Sequence, residues 1–279
     1  MKTSRFILLA LFFAPLTALA GPPFQTDDPE PIGYKNYEFY TFGTVSHFPG
    51  ETDTQAPAFE FNWGALPNTH LHIIAPLASY IPENGTKAVG VGDIELGIKY
   101  RFVQETKSMP QIGTFTMFEI PSGNSKKGLG VGKTWYKLPL WAQKSFGPWT
   151  TYGGGGEVVI PAKGYRNYPF AGGLVQRELN KKIALATEVF YHGQVTNDTR
   201  YSTMLDLGGY YKFRGNDSFQ MLFCYGHSIA GQAEKYGYLG LYWTWGGKKG
   251  NGDKPGEADK PAPSTAFNRL GPPGVMGHI

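Results

Sequence analysis

Between residues 36 and 245 apolar side chains recur at every second position, not at every third or fourth. Period two places alternate residues on opposite faces of a strand, so the pattern predicts β-structure almost throughout. Twelve stretches carry it: 36–48, 56–66, 70–81, 92–103, 111–121, 134–146, 149–161, 169–179, 182–193, 202–213, 218–229 and 236–245, each bounded by Gly, Pro, Asn or Asp. Strands of this length suit a bilayer, which a strand tilted near 45° crosses in about 9–11 residues. Soluble sandwiches use shorter strands, about five or six residues.

The two faces differ in chemistry. In the fourth stretch Ile94, Leu96, Ile98, Tyr100 and Phe102 share one face, and Glu95, Lys99 and Arg101 share the other. In the tenth, Leu205, Leu207, Tyr211 and Phe213 oppose Asp206 and Lys212. The same phase carried along the chain predicts a polar face bearing Glu38, Glu60, His72, Glu95, Lys99, Arg101, Glu119, Lys137, Glu157, Arg177, Glu188, His192, Asp206 and Lys212. These residues are the candidate lining of a lumen and of a substrate path. Their seven acids against five bases suit paired charges in a narrow interior, with no single-sign ring. A soluble sandwich with its polar face outward would alternate in the same way.

Connection lengths separate the two architectures. Short joints at Pro67-Asn68-Thr69, Gly147-Pro148, Asn180-Lys181 and Gly215-Asn216-Asp217 alternate with longer ones at 49–55, 82–91, 122–133, 162–168, 194–201 and 230–235, residues 104–110 being an exception. Short turns at one end and longer loops at the other are the layout of an outer-membrane barrel. The expectation is an all-β, transmembrane, antiparallel up-and-down barrel of about twelve strands. Trp63, Phe102, Phe213, Phe219, Trp243 and Trp245 would form an aromatic girdle near the short-turn end.

Both ends of the chain fall outside the alternation. Residues 1–20 read as a cleaved export signal: Lys2 and Arg5, then an apolar run from Phe6 to Leu16, then Ala18-Leu19-Ala20. The run is too short to cross about 30 Å of hydrocarbon as a helix. Residues 21–35 are Pro-rich and acidic, a possible plug. Residues 246–279 are rich in Gly, Pro and Lys and read as a flexible tail. With residues 1–20 and 246–279 set aside, the net charge of +4 vanishes, leaving 19 bases against 19 acids, so nothing here attracts a nucleic acid. The single Cys224 excludes an internal disulfide framework and a cysteine zinc cage.

Several short elements resemble one family. Gly90-Val91-Gly92-Asp93 running into Ile94-Glu95-Leu96, the Pro121-Ser122-Gly123 and Gly128-Leu129-Gly130-Val131-Gly132 pieces of the central loop, and Thr26-Asp27-Asp28-Pro29 are similar to elements of the outer-membrane proteins of the phenol-degradation meta-pathway family. The resemblance implies a twelve-stranded barrel with an uptake role. The chain departs from outer-membrane barrels in that 34 residues follow its last strand, in place of a terminal aromatic.

Candidate chemistry is sparse. Gly128–Thr134 lacks the Walker spacing, because Lys127 stands where that spacing needs glycine, and no helix follows it. Gly226-His227-Ser228-Ile229-Ala230 resembles a nucleophile elbow without the helix that the elbow requires, and adjacent His227 and Ser228 point to opposite faces. His70 and His72 form at most half of a metal site, and they read rather as an interfacial or lumenal pair. Asp27, Asp28 and Glu30 could bind a hard cation, stay solvated, or meet lumenal bases as part of a plug. The function expected is a channel or transporter-like barrel in the Gram-negative outer membrane, passing or binding small hydrophobic or aromatic molecules without enzymatic chemistry or a cofactor. Outer-membrane lipids and the barrel-assembly machinery are its expected partners. The alternatives are an outer-membrane lipid hydrolase and a structural or surface-interaction barrel.

Overall fold

The computed structural model describes residues 23–247 except Asn84 and Asn216. The expected export signal and the segment beyond Gly247 lie outside the described residues. The alternating stretches become strands β1 (Asn36–Phe48), β2 (Glu51–Leu66), β3 (Thr69–Pro82), β4 (Ala88–Val91), β5 (Ile94–Val103), β6 (Gln111–Ile120), β7 (Trp135–Phe146), β8 (Trp149–Val159), β9 (Tyr168–Glu178), β10 (Ile183–His192), β11 (Ser202–Lys212), β12 (Phe219–Gly231) and β13 (Lys235–Gly246). Each pairs antiparallel with its neighbours, and β1 closes the sheet on β13, with Asn36 opposite Gly246 and His47 opposite Lys235. β3 is flanked by β5 along Thr69–Ile74 and by β4 along Leu77–Tyr80. β4 and β5 therefore share one place in the wall, broken at Gly92-Asp93, and the result is a closed twelve-stranded barrel. No helix among the described residues is long and apolar enough to cross a membrane.

Closure leaves every wall strand but the short β4 paired on both sides, which is what a backbone in hydrocarbon requires. The outward face is an apolar belt: Leu71, Ile73, Leu96, Ile98, Leu138, Leu140, Val189, Leu207 and Leu239 are all exposed. Covering each with an apolar medium is worth about 1.5–3 kcal/mol, so this face favours an apolar surrounding over water. At the short-turn end rings pack outside the wall, stacked from Phe213 to Phe219 (4.6 Å) and from Phe219 to Trp243 (5.1 Å), and tilted from Trp243 to Phe39 (5.9 Å). Tyr37 and Trp245 stack beside them at 5.8 Å. Inside the barrel the same seam is lined by Tyr40 against Tyr242 (4.8 Å) and Phe42 against Tyr238 (5.1 Å).

A second apolar cluster fills the opposite wall, where Phe115, Met117, Trp141, Phe170, Phe190 and Met204 pack together. Trp141, fully buried, faces Gly154 across the β7–β8 pair, and a Cβ there would stand 2.9 Å from the indole. The glycine run of β8 makes room for that ring.

Most boundaries shift by one or two residues, β12 running on to Gly231 so that the expected 230–235 loop is only residues 232–234, and two differ more. β2 begins at Glu51, not residue 56, so the β1–β2 joint is only Pro49-Gly50, with Gly50 at φ +93°. Glu51–Gln55 has no apolar alternation because this part of the hairpin is polar on both faces, and only pairing with β1 and β3 reveals it. β4 lies within the expected 82–91 loop, since four residues are too few to show a period.

Candidate binding site

The Pro-rich segment before β1 runs inside the barrel. Its prolines hold it extended and give it no ladder donors, so its polar groups must find lumenal partners. Starting from β1 at the short-turn end, the Ile32 amide donates to His70 Nδ1 at 3.2 Å. Glu30 accepts from Gln111 at 3.1 Å and Gln143 at 3.3 Å, and Arg101 lies 3.9 Å away. Higher up, Lys99 Nζ donates to Asp27 at 2.9 Å and to Asp28 at 3.2 Å. The Thr26 and Gln25 amides then both donate to the Glu188 carboxylate, and the Pro23 carbonyl accepts from the Tyr236 hydroxyl. Thr26, Asp28 and Pro29 have essentially no exposed surface. The strap is seated on glycines: a Cβ at Gly172 would overlap Thr26, and one at Gly113 would stand 3.0 Å from Pro29.

Below the strap, at the short-turn end, buried amides pave the interior: Gln111, Gln143, Gln176 and Gln220. Lys212 pairs there with Glu178 at 3.3 Å, and the Tyr210 hydroxyl donates to the same carboxylate. Beside the strap a polar chain crosses four strands, β1, β2, β3 and β5. His72 bonds Asn62 and Glu95, each at 2.7 Å, and Asn62 donates to Glu60 (2.8 Å) and Glu38 (3.1 Å). Both ring nitrogens of His72 are thus engaged, and His70 has given one to the strap. No group of three or more metal-ligating side chains exists among the described residues.

Above the strap the lumen widens into a cavity of about 600 Å³ that reaches the long-loop end. Pro23, Phe24 and Gln25 contribute to its floor, and Phe42, Phe115, Phe170, Phe190, Tyr236 and Tyr238 to its walls. Lys137 stands on its side wall, 5.1 Å over the Phe170 ring, and His192 pairs with Glu234 at 3.1 Å. The residues of the family resemblance assemble nearby. Asp93 accepts the amides of Gly123 (2.9 Å) and Val131 (2.8 Å), folding the 121–134 loop back on the break between β4 and β5.

Most of the polar face read from the sequence points inward: Glu38, Glu60, His72, Glu95, Lys99, Arg101, Glu119, Lys137, Glu188, His192, Asp206 and Lys212. Glu157 and Arg177 do not. Glu157 is exposed opposite exposed Leu138, while its neighbour Val158 is buried, and Arg177 is exposed with its guanidinium 5.0 Å over the Trp149 ring. Both sit near strand ends, where the outward face leaves hydrocarbon and tolerates charge. The featureless glycine run of β8 hides the phase from the sequence. Removing this pair and adding Asp27, Asp28, Glu30, Glu178 and Glu234 turns the expected balance of lumenal charge into an excess of acid. The glutamine floor and Glu234 carry no sequence signal, since each is a single polar residue in a strand or loop. Ser228 Oγ accepts the Glu234 amide at 3.0 Å, and exposed His227 turns its ring away, its Nδ1 3.0 Å from the Ser228 carbonyl oxygen.

No protein-family model matches the chain, and no curated protein does. Among solved structures the barrel is similar to an outer membrane channel from Pseudomonas putida F1, at 12% identity and a TM-score of 0.66, over 78% of this chain and 98% of that one. It is also similar to the KdgM porin, at 11% identity and 0.51, over 74% and 99%. The NanC porin matches at 10% identity and 0.51, over 74% and 98%. At these identities the likeness is one of fold: the chain has the architecture of outer-membrane β-barrels.

Proposed function

We propose that this chain is a channel-type barrel of the Gram-negative outer membrane, exported through a cleaved signal at residues 1–20. Its upper cavity admits small molecules from the cell exterior, and its N-terminal strap governs their passage. One observation carries the reading: a cavity of about 600 Å³ reaches the long-loop end and stops on a strap held by hydrogen bonds and ion pairs, not by a wall strand. Such a floor can move without opening the sheet. Aromatic walls favour small hydrophobic or aromatic solutes. The short motifs shared with the meta-pathway family point the same way, and so by fold-level analogy do the neighbours named as a channel and porins. Outer-membrane lipids would cover the belt, and the assembly machinery would insert it.

The reading assigns no covalent chemistry, because Ser228 and His227 are not within reach of each other's functional atoms. Liposome swelling with aromatic and sugar solutes, run beside a lipid-hydrolysis assay, tests it. Solute entry that depends on the barrel is expected. Lipid hydrolysis abolished by Ser228→Ala would replace the channel with an enzyme.

A further inference from the structure

The mouth of the cavity is chemically unlike its floor. Each acid lining it lower down has a cationic or imidazole partner, Asp27 with Lys99 and Glu60 and Glu95 with His72, and at the rim Glu234 has His192. At the mouth Glu51 is held only by the Tyr80 hydroxyl at 2.9 Å, and no basic side chain lies within ion-pair distance of Glu51 or Asp53 among the described residues. Both carboxylates line the cavity together with the rings of Phe48 and Tyr165. Deeper in, Tyr238 lines the cavity and is 6% exposed, yet its hydroxyl has no hydrogen-bond partner among the described residues.

We infer that this cavity takes a small cation with an apolar body, an aromatic or alkyl amine, with its ammonium held at Glu51 and Asp53 and its body laid against the aromatic walls. The inference rests on the reading of the cavity as an uptake site and names its ligand class. Two unpaired carboxylates beside aromatic rings attract an ammonium by charge and by the negative faces of the rings. The opposing bases are placed differently. Lys137 lies over Phe170 on the side wall with Asp27 and Glu95 as its counter-charges, and Arg200, which also lines the mouth, is exposed at its rim, where water weakens its field. An anion entering the cavity would meet Arg200 at the rim but would pass two carboxylates that have no ion-pair partner before reaching Lys137. A neutral aromatic would gain the walls but nothing at the mouth.

The test uses three isosteres on the full-length barrel in detergent at neutral pH: phenethylamine, 2-phenylethanol and phenylacetate, titrated by calorimetry. The amine should bind about tenfold more tightly than the alcohol, the ratio expected of one partly desolvated cation site. The acid should bind more weakly than either. Glu51→Gln with Asp53→Asn should bring the amine down to the affinity of the alcohol, in a barrel whose migration remains heat-modifiable. On the unaltered protein, raising salt from about 0.05 to 0.5 M should weaken the amine alone, since screening reaches charge and not apolar contact. Equal affinities, a tighter acid, or no binding of any of the three overturns the inference. Solute flux is measured separately, so a barrel that binds the amine and passes nothing keeps this inference and loses the channel.

Discussion

Lys99→Met should release the strap. Lys99 is buried and carries the ion pairs to Asp27 and Asp28, at 2.9 and 3.2 Å, where Asp28 has no exposed surface. Removing one side of a buried pair costs about 3–5 kcal/mol, because the remaining charge is left uncompensated. Here two carboxylates would be left. The barrel wall need not absorb this cost, since undocking the strap returns both acids to water. A shift of about 3–5 kcal/mol moves the docking equilibrium by roughly 10²–10⁴. The assay is thiol labelling of Thr26→Cys in a Cys224→Ser background, because residue 26 is fully buried when the strap is seated. Labelling should be slow while Lys99 is present and fast in the Lys99→Met variant, and single-channel conductance should rise in parallel. Neutralising Asp27 and Asp28 in the Lys99→Met barrel should restore slow labelling, since an apolar replacement of a whole buried ion set is close to neutral. Unchanged labelling and conductance in a heat-modifiable Lys99→Met barrel would refute the reasoning.

Gly172→Ala should loosen the strap from the opposite side, because its methyl would overlap Thr26, and faster labelling at position 26 with intact strand content checks this. Leu207→Arg should cost assembly roughly 2–4 kcal/mol if it sits near the bilayer midplane; Leu207 is 62% exposed on the outer face, and refolding into liposomes against urea measures the loss. Deleting residues 22–33 should enlarge or multiply channel openings in planar bilayers, and unchanged conductance would show that the strap does not limit the path. An impermeant maleimide on intact cells should reach Lys126→Cys and not Lys181→Cys, two exposed sites at opposite ends of the barrel; the reverse pattern would invert the orientation.

Strand positions are legible in the chain because the hydrophobic period is enforced by two solvents, lipid outside and a polar lumen within. β1 runs from Asn36 to Phe48 in sequence and structure alike, and β13 differs by a single residue at either end. Legibility fails where one solvent is missing. Glu51–Gln55 extends past the apolar belt, and Gly153–Gly156 has no side chains to mark a face, so alternation alone gives Glu157 the wrong phase. The lumenal residues are legible as a class, by inward alternation. Their partners are not, because Lys99 meets acids 71 and 72 positions away along the chain, and no local pattern encodes that distance. The free acids at the mouth are equally hidden, since only the cavity distinguishes Asp53 from any other surface carboxylate.

The seam where β1 meets β13 bears on how the barrel comes to exist at all. Its partners are about 200 residues apart, as in the Glu38–Tyr242 contact, and closing a loop of that size costs about 5 kcal/mol in chain entropy. No hairpin turn holds these two strands together. What the seam has is rings on both sides of the wall: Tyr37 with Trp245 and Phe39 with Trp243 outside, Tyr40 with Tyr242 and Phe42 with Tyr238 inside. At about 0.5–1.5 kcal/mol per pair beyond simple burial, the four together match the entropy of closure. The ring pairs act as a clasp on an otherwise open ribbon. Thinning them should slow the last step of folding, the joining of the first strand to the last, more than it weakens the finished cylinder.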